Sequence, residues 1–346
     1  MMTDPLTKVS ADGELLPWLE PAWARLRQAQ AADRLPHALL VVGARGLGKR
    51  RLATLFARAL LCPTPRPDGL ACGVCADCRL SAAGSHPDLA RVAPDPESKS
   101  GEIPIDAIRE LTERAVLTPV RGARKVILID PADRMNAAAA NALLKTLEEP
   151  AGNTLLMLIA EQPGRLPATI RSRCQLLKLA VPPSDQALAW LTPLLGEAAA
   201  PRLRLAYGAP LRALEEFDQA TLDSRDTLVR SFIGIGRGEL DPVAAAVAWS
   251  AAGARLSLDC LADCLCDLLR LMASPAPPRL ADPGLAPALA AFAAYVDPGA
   301  AQRLLRRVFA ARGLLESTIN ALMQLESLLI EWARVGQRRL NLKETK

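Results

Sequence analysis

The stretch Gly43-Ala44-Arg45-Gly46-Leu47-Gly48-Lys49 decides the fold of the first half of this 346-residue chain. An apolar run from Ala38 to Val42 precedes it, and apolar residues at helical spacing follow it. That order predicts a strand, a glycine loop and a helix. Two further β-type runs, Val126 to Asp130 and Thr154 to Ala160, are separated by a helical stretch from Ala137 to Glu149. Strands that alternate with helices predict a largely parallel α/β sheet.

The second half of the chain has a different composition. The paired prolines Pro182 and Pro183 indicate a stiff linker. Beyond them Ala, Leu and Arg recur at helical spacing without a clear strand, and a looser break falls near Asp218 to Ser224. The sequence therefore predicts the fold class α/β plus all-α, with an α/β domain over residues 1–180, a small helical domain over 181–220 and a larger helical domain over 221–346.

Composition and charge exclude several classes of protein. Half of the residues are hydrophobic and 23% are charged, a balance typical of a packed globular chain rather than a disordered one. Lys and Arg number 42 against 37 Asp and Glu, and this net charge of +5 is too small to identify a partner. The first residues lack the pattern of a signal peptide, and the longest apolar run, Leu285 to Val296, contains a proline and is too short for a bilayer. We expect a soluble, cytoplasmic protein with no membrane partner.

The glycine loop has most of what a phosphate-binding loop requires. Gly43, Gly46, Gly48 and Lys49 are candidates to bind a nucleotide, because glycines let backbone N–H groups approach phosphate oxygens and the lysine reaches the outer phosphates. Arg50 stands where a Ser or Thr hydroxyl would hold Mg²⁺. It brings a positive charge and no ligand oxygen. ATP binding therefore stays open, beside the alternative of a glycine turn with no nucleotide role, whereas metal-assisted hydrolysis is not expected.

The acidic motif of such ATPases is also incomplete. It pairs an Asp for the Mg²⁺ shell with a following Glu that activates water. Here the strand ends in Asp130, a candidate for the first role, but Pro131 follows it and has no basic group. Phosphoryl transfer needs these groups positioned together. Pro131 and Arg50 are therefore two separate reasons to expect no metal-assisted hydrolysis.

Four cysteines between residues 62 and 78 have the spacing of a metal site. Cys62, Cys72, Cys75 and Cys78 supply four soft ligands to one tetrahedral centre. A closed set of four thiolates favours structural Zn²⁺ over an iron–sulfur cluster, because nothing nearby offers a redox partner. Four further cysteines lie in apolar stretches and are expected in the core: Cys174, Cys260, Cys264 and Cys266.

Several motifs together resemble one family. They are His37-Ala38-Leu39-Leu40, the four-cysteine knuckle, Ser85-His86-Pro87-Asp88, the stretch from Asn141 to Pro150 (NALLKTLEEP) and Ser172-Arg173-Cys174. In these the chain resembles the bacterial clamp-loader subunits of the AAA+ superfamily, densely from about residue 15 to 180 and thinly beyond. The resemblance implies an AAA+ parallel-sheet P-loop domain with an inserted Cys₄ zinc knuckle, a small helical lid and a C-terminal helical collar through which a hetero-pentamer assembles.

Departures from the family pattern favour a member that does not hydrolyse ATP. Arg50 and Pro131 replace groups that the family's motor subunits, gamma and tau, retain. Ala160 and Glu161 stand where the motors carry a sensor threonine, and Gly208-Ala209-Pro210-Leu211-Arg212 replaces the usual Gly-Ser-Leu-Arg of the lid. The intact Lys49 leaves nucleotide binding open.

What the resemblance implies is a stator that works inside an assembly. Its partners would be the motor and delta subunits, the sliding clamp, and primed DNA reached through the whole complex of the DNA polymerase III holoenzyme. Arg173 would be an arginine finger acting in trans on a nucleotide of the neighbouring motor, against the alternative of an ordinary charge at a strand end. Two rival functions are an ATP-hydrolysing motor subunit and a zinc-dependent nucleic-acid-binding module.

Overall fold

A computed structural model describes residues 14–95, 97–98, 101–150, 153–274, 277, 279–294, 296–315 and 320–337. The chain divides into two compact units. The first is Met1–Ala199 with Gly208–Leu214, and the second is Ala200–Tyr207 with Glu215–Lys346. The three domains expected from the sequence, with boundaries at residues 180 and 220, stay a prediction.

The first unit alternates strands and helices. In chain order its elements are α1 (Glu20–Ala31), β1 (Ala38–Val42), α2 (Lys49–Leu61), α3 (Ala76–Ala82), β2 (Leu89–Val92), α4 (Ile105–Val116), β3 (Lys125–Ile129), α5 (Ala137–Glu148), β4 (Thr154–Ala160), α6 (Ala168–Arg171), β5 (Gln175–Lys178) and α7 (Ser184–Leu195). Short 3₁₀ turns occur at Pro17–Leu19, Ala132–Arg134, Pro163–Arg165 and Gly196–Ala198.

The five strands form one parallel sheet in the order β2-β3-β4-β1-β5. Alternate residues of β1 point to opposite faces, so Leu39 and Val41 join one apolar cluster and Ala38, Leu40 and Val42 join another. Helix α2 contributes to the first cluster, and helices α4 and α5 contribute to the second. Because helices cover both faces, the central strands are apolar apart from the first residues of β3 and β4, Lys125 and Thr154.

The regular secondary structure of the second unit is helical in all its described residues. Helices α8 (Ala199–Leu205) and α9 (Pro210–Glu215) lie where the chain alternates between the two units. The helices that follow are α10 (Gln219–Arg237), α11 (Pro242–Ala251), α12 (Ala254–Ala273), α13 (Ala286–Ala293), α14 (Pro298–Gly313) and α15 (Ala321–Gln337). Its core contains Trp332, which stacks on Phe232 with ring centroids 4.0 Å apart and donates from Nε1 to the Phe232 carbonyl at 2.7 Å.

Charged side chains are also buried in the second unit, which the sequence did not predict. Arg225 Nη2 lies 3.0 Å from Asp263 Oδ2, and both residues are almost fully buried. Arg312 Nη2 lies 2.8 Å from Asp259 Oδ1 in the same region. Removing one partner of such a pair would leave an uncompensated buried charge, so these pairs fix how α10, α12 and α14 pack.

The parallel sheet and the helical second half confirm the predicted fold class. Strands β1 and β4 occupy the predicted residues, whereas β3 begins and ends one residue earlier than predicted. Strand β2 was not predicted. Of the expected core cysteines, Cys174, Cys260 and Cys264 are buried and Cys266 is half-buried. None of the described helices combines the length and the apolar character that crossing a bilayer requires.

Candidate functional site

The glycine loop joins the carboxyl end of β1 to the first turn of α2. Gly46 and Gly48 have φ angles of 78° and 85°, in the left-handed region that favours glycine. Leu211 donates its N–H to the Gly46 carbonyl at 3.1 Å, and a Cβ placed on Gly46 would collide with the backbone and the Cβ of Arg212. The segment 211–212 therefore packs directly on the loop, and only glycine fits at position 46.

Lys49 is directed toward groups of its own chain. Only 6% of its side chain is exposed, and Nζ donates to the Ala44 carbonyl at 2.9 Å. Nζ also lies 3.7 Å from Oε1 of Glu161, which follows the neighbouring strand β4. Burial lowers the pKa of Lys49, and the Glu161 carboxylate opposes that shift. The cation that would meet an outer phosphate is thus already partnered.

Asp130 lies between two guanidinium groups. Arg50 Nε forms an ion pair and hydrogen bond with Asp130 Oδ2, and Arg91 Nη2 lies 3.2 Å from the same oxygen. The Asp130 side chain is 5% exposed. The sequence predicted Asp130 at this end of the sheet but did not predict that Arg50 pairs with it, nor the contribution of Arg91 from β2. The carboxylate expected near Mg²⁺ is therefore neutralised by the chain itself.

The four cysteines of the predicted metal site lie together. The sulfur atoms of Cys62, Cys72, Cys75 and Cys78 all lie within 4.8 Å of one another. Helix α2 ends just before Cys62, and Cys75 caps the first turn of α3. Because α2 runs back from the glycine loop, it carries Cys62 to the amino end of the sheet, about 20 Å away.

The geometry of this cluster fits one tetrahedral ion. Sulfur atoms bound at about 2.3 Å in a tetrahedron are about 3.8 Å apart, and the Cys72 and Cys78 sulfurs are 3.8 Å apart. Backbone N–H groups of residues 72, 73, 75 and 78 donate to the four sulfurs at 3.3–3.4 Å. The N–H groups of Val74 and Cys75 lower the pKa of the Cys72 thiol to about 6, while burial raises that of Cys78 to about 12. The donor set can hold a metal ion.

A polar network fastens the cysteine cluster to the sheet. Asp77, on α3, lies 2.5 Å from Arg121 Nε and 3.3 Å from His86 Nε2. His86 Nδ1 accepts the Asp88 N–H at 3.0 Å. The Asp88 carboxylate, just before β2, accepts the N–H groups of residues 120, 121 and 122 at 2.7–2.9 Å. Burial opposes its ionisation, but these donors prevail and lower the pKa of Asp88.

Arg173 lies between α6 and the edge strand β5. Its Nη2 is 2.6 Å from Glu148 Oε1, and its Nη1 donates to the Thr169 carbonyl at 3.0 Å. The arginine side chain is 35% exposed and the Glu148 side chain 50%. Gln175 is level with Leu39 in the β1–β5 register, so Arg173 lies at the amino end of the sheet. About 20 Å of strand separates it from the glycine loop at the other end.

Comparisons with known proteins show the family of this chain. The family described as "DNA polymerase III, delta subunit" matches residues 18–183, and its C-terminal counterpart matches residues 219–334. DNA polymerase III subunit delta-prime of Pseudomonas aeruginosa is 34% identical over 92% of this chain and 98% of its own length. The Escherichia coli subunit of the same name is 36% identical over 91% of this chain and 94% of its own. The chain belongs to the DNA polymerase III delta-prime family.

A relative with a different name matches less of this chain. DNA polymerase III subunit tau of Salmonella typhimurium is 34% identical over 62% of this chain, but the match covers 34% of that protein. The delta-prime relatives extend over nearly the whole chain.

The structure brings two sets of predicted residues together. Gly43, Gly46, Gly48, Lys49 and Asp130 meet at the carboxyl end of the sheet, and the four cysteines form a cluster at its amino end. Arg173 also lies at the amino end, next to the edge strand β5. The sequence places Glu161 directly after an apolar run but gives no sign of its pairing with Lys49. Glu148 belongs to the motif from Asn141 to Pro150, and no local signal indicates its pairing with Arg173.

Proposed function

We propose that this delta-prime family member is the non-hydrolysing stator of a bacterial clamp loader. It would join the motor and delta subunits and, within that complex, help to place the sliding clamp on primed DNA. The names of the relatives that match nearly the whole chain support this assignment. Assembly would use the C-terminal helical collar, residues 221–346, with residues 181–220 as the lid.

The pairing of Arg50 with Asp130 carries the proposal that the chain does not hydrolyse ATP. A guanidinium at this position offers no ligand oxygen and repels a divalent cation, and Asp130 is already neutralised by it. Pro131 supplies no base, and Lys49 is already partnered by Ala44 and Glu161. Phosphoryl transfer depends on metal, lysine and base acting together, so we expect no turnover at this loop and weak ATP binding at most.

Arg173 is the residue that we propose to act in catalysis, at the neighbouring motor. Its guanidinium is half-exposed at the edge of the sheet and lies too far from its own glycine loop to act there. A planar, permanently charged group suits the developing negative charge on a γ-phosphate. Arginine fingers of this kind are worth roughly 10³ to 10⁵ in rate.

We assign Zn²⁺ to the cysteine cluster as a structural ion. Cys62, Cys72, Cys75 and Cys78 would complete its coordination, which leaves no position for a substrate. Such an ion would tie the end of α2 to α3 and stabilise the intervening loop.

Reconstitution tests the function as a whole. The chain is mixed with motor and delta subunits, and a stable complex and clamp loading on primed DNA are scored together. We expect both to require this chain, and the isolated chain to show no ATP turnover. Turnover by the isolated chain that primed DNA stimulates and Lys49→Ala abolishes would instead identify a motor. Failure to assemble, with tight and salt-sensitive DNA binding by the chain alone, would identify a nucleic-acid-binding module.

A further inference from the structure

We propose that Glu148 holds Arg173 in a resting position and competes for it with the phosphate of the neighbouring subunit's nucleotide. This inference rests on the proposed function of Arg173 as a finger. It gives a positioning role to a carboxylate at the end of α5. Engagement of the finger is then the exchange of one anionic partner for another.

Arg173 has neutral partners on one side of its guanidinium, the Thr169 carbonyl and, at 3.5 Å, the Ser172 hydroxyl, and a charged partner on the other. Nη1 donates to the Thr169 carbonyl, in the short helix α6, two residues before that helix ends. Nη2 meets the Glu148 carboxylate at 2.6 Å. A nucleotide phosphate competes with a carboxylate for the same charge-assisted bond. The hydrogen bond from Nη1 to Thr169 can persist while Nη2 changes its partner from the carboxylate to the phosphate.

The position of Glu148 makes the exchange easy. Glu148 is the last residue of α5, where the partial negative charge of the helix end disfavours another anion. Arg173 offsets this, but both side chains are partly exposed to water. Exposed ion pairs of this kind are weak. The ion pair between Glu148 and Arg173 can therefore orient the arginine side chain and still break when a phosphate binds.

Glu149 provides a matched control. It is the next residue along, carries the same charge and is exposed, and among the described residues it forms no ion pair. Glu148→Gln and Glu149→Gln change the total charge equally and keep the side-chain size. A difference between them reports the contact with Arg173 rather than the charge of the surface.

The experiment uses the full clamp loader assembled with each variant and titrated with a non-hydrolysable ATP analogue at low salt. Arg173→Ala first identifies the nucleotide sites that the finger serves, as those whose binding it weakens. At these sites we expect Glu148→Gln to lower the half-saturation concentration of the ATP analogue about two- to fivefold. The reason is that Arg173 no longer has to break an ion pair before it contacts the phosphate. Glu149→Gln should change nothing, and Glu148→Gln should have no effect in the Arg173→Ala background.

The outcomes separate the two proposals. An unchanged or raised half-saturation concentration in Glu148→Gln, with Arg173→Ala still impaired, would overturn the resting contact alone. An effect of Glu148→Gln that persists without Arg173 would do the same. If Arg173→Ala weakens no site, the finger assignment fails and the resting contact fails with it.

Discussion

The glycine loop at one end of the parallel sheet and Arg173 at the other end differ in how their charged groups are paired. At the glycine loop, Lys49 is buried against Ala44 and Glu161, and the buried carboxylate of Asp130 is shared by Arg50 and Arg91. At the amino end, the guanidinium of Arg173 is partly exposed, pairs with Glu148 and donates to the Thr169 carbonyl. The cysteine cluster also lies at the amino end. The charged groups at the glycine loop are paired within the chain, whereas the amino end has four clustered thiols and a partly exposed guanidinium.

The glycine loop combines a typical backbone shape with charges that are paired inside the chain. The glycine loop keeps its backbone shape, with Gly46 and Gly48 in the left-handed region. Its charges, however, are satisfied from within the chain. The comparison predicts large effects for changes at the amino end and small effects for changes at the glycine loop.

The cysteine cluster should give the largest effect on stability. We expect Cys75→Ser to reduce bound zinc from about one ion per chain to nearly none and to lower the free energy of unfolding by several kcal/mol, because metal binding is coupled to local folding. Elemental analysis and denaturant unfolding measure the two quantities. Cys266→Ser, at a half-buried cysteine outside the cluster, is the control and should keep the zinc. Protein purified without chelator that contains no zinc would refute the metal assignment.

Asp88 should give the next largest effect. Its carboxylate accepts three backbone N–H groups, so Asp88→Asn should lower the free energy of unfolding at neutral pH by about 3 kcal/mol. Because the pKa of Asp88 is lowered in the folded state, its contribution is complete above the unfolded value of about 3.9 and is lost as the pH falls through the folded value.

The pH dependence distinguishes this carboxylate from an ordinary surface one. Unfolding of the wild type and of Asp88→Asn should differ by a constant amount between pH 5 and 8 and converge below about pH 4. Asp106→Asn is the control, because Asp106 is exposed and, among the residues that the structure describes, pairs only with Arg109 on the same helix. An Asp88→Asn deficit that stays constant at pH 3 would contradict the account.

The glycine loop should give the smallest effect. Arg50→Thr restores the missing hydroxyl and frees Asp130 from one guanidinium, yet Arg91 and Pro131 remain. We expect the affinity for Mg²⁺–ATP to rise about fivefold or less, the equivalent of one weak ion pair, without turnover. Isothermal calorimetry and a phosphate-release assay measure these quantities. Turnover in this single variant would show that the loop is closer to a working ATPase than proposed.

The sequence predicted the fold where one local signal was sufficient. Strands β1 and β4 are continuous apolar runs, and both occupy the predicted residues. Strand β3 includes Lys125 at its start because Nζ of that lysine donates to the Arg114 carbonyl, which offsets its burial. Strand β2 is short, lies at the sheet edge and contains Arg91, so it has no apolar signature to find.

The pairings could not be predicted because they join residues distant in the chain. Arg50 and Asp130 are 80 positions apart and meet only because the carboxyl ends of parallel strands share one edge. The contact between Glu148 and Arg173 depends on where α5 and α6 end. Spacing did identify the four cysteines, since their ligand pattern is local to residues 62–78.

One paired measurement tests the central claim most directly. ATP turnover of the assembled clamp loader is compared for Lys49→Ala and Arg173→Ala, after both variants are shown to assemble. The account predicts that Lys49→Ala leaves turnover unchanged, and that Arg173→Ala lowers it at the neighbouring motor by about a thousandfold or more. Loss of turnover in Lys49→Ala together with normal turnover in Arg173→Ala would contradict it.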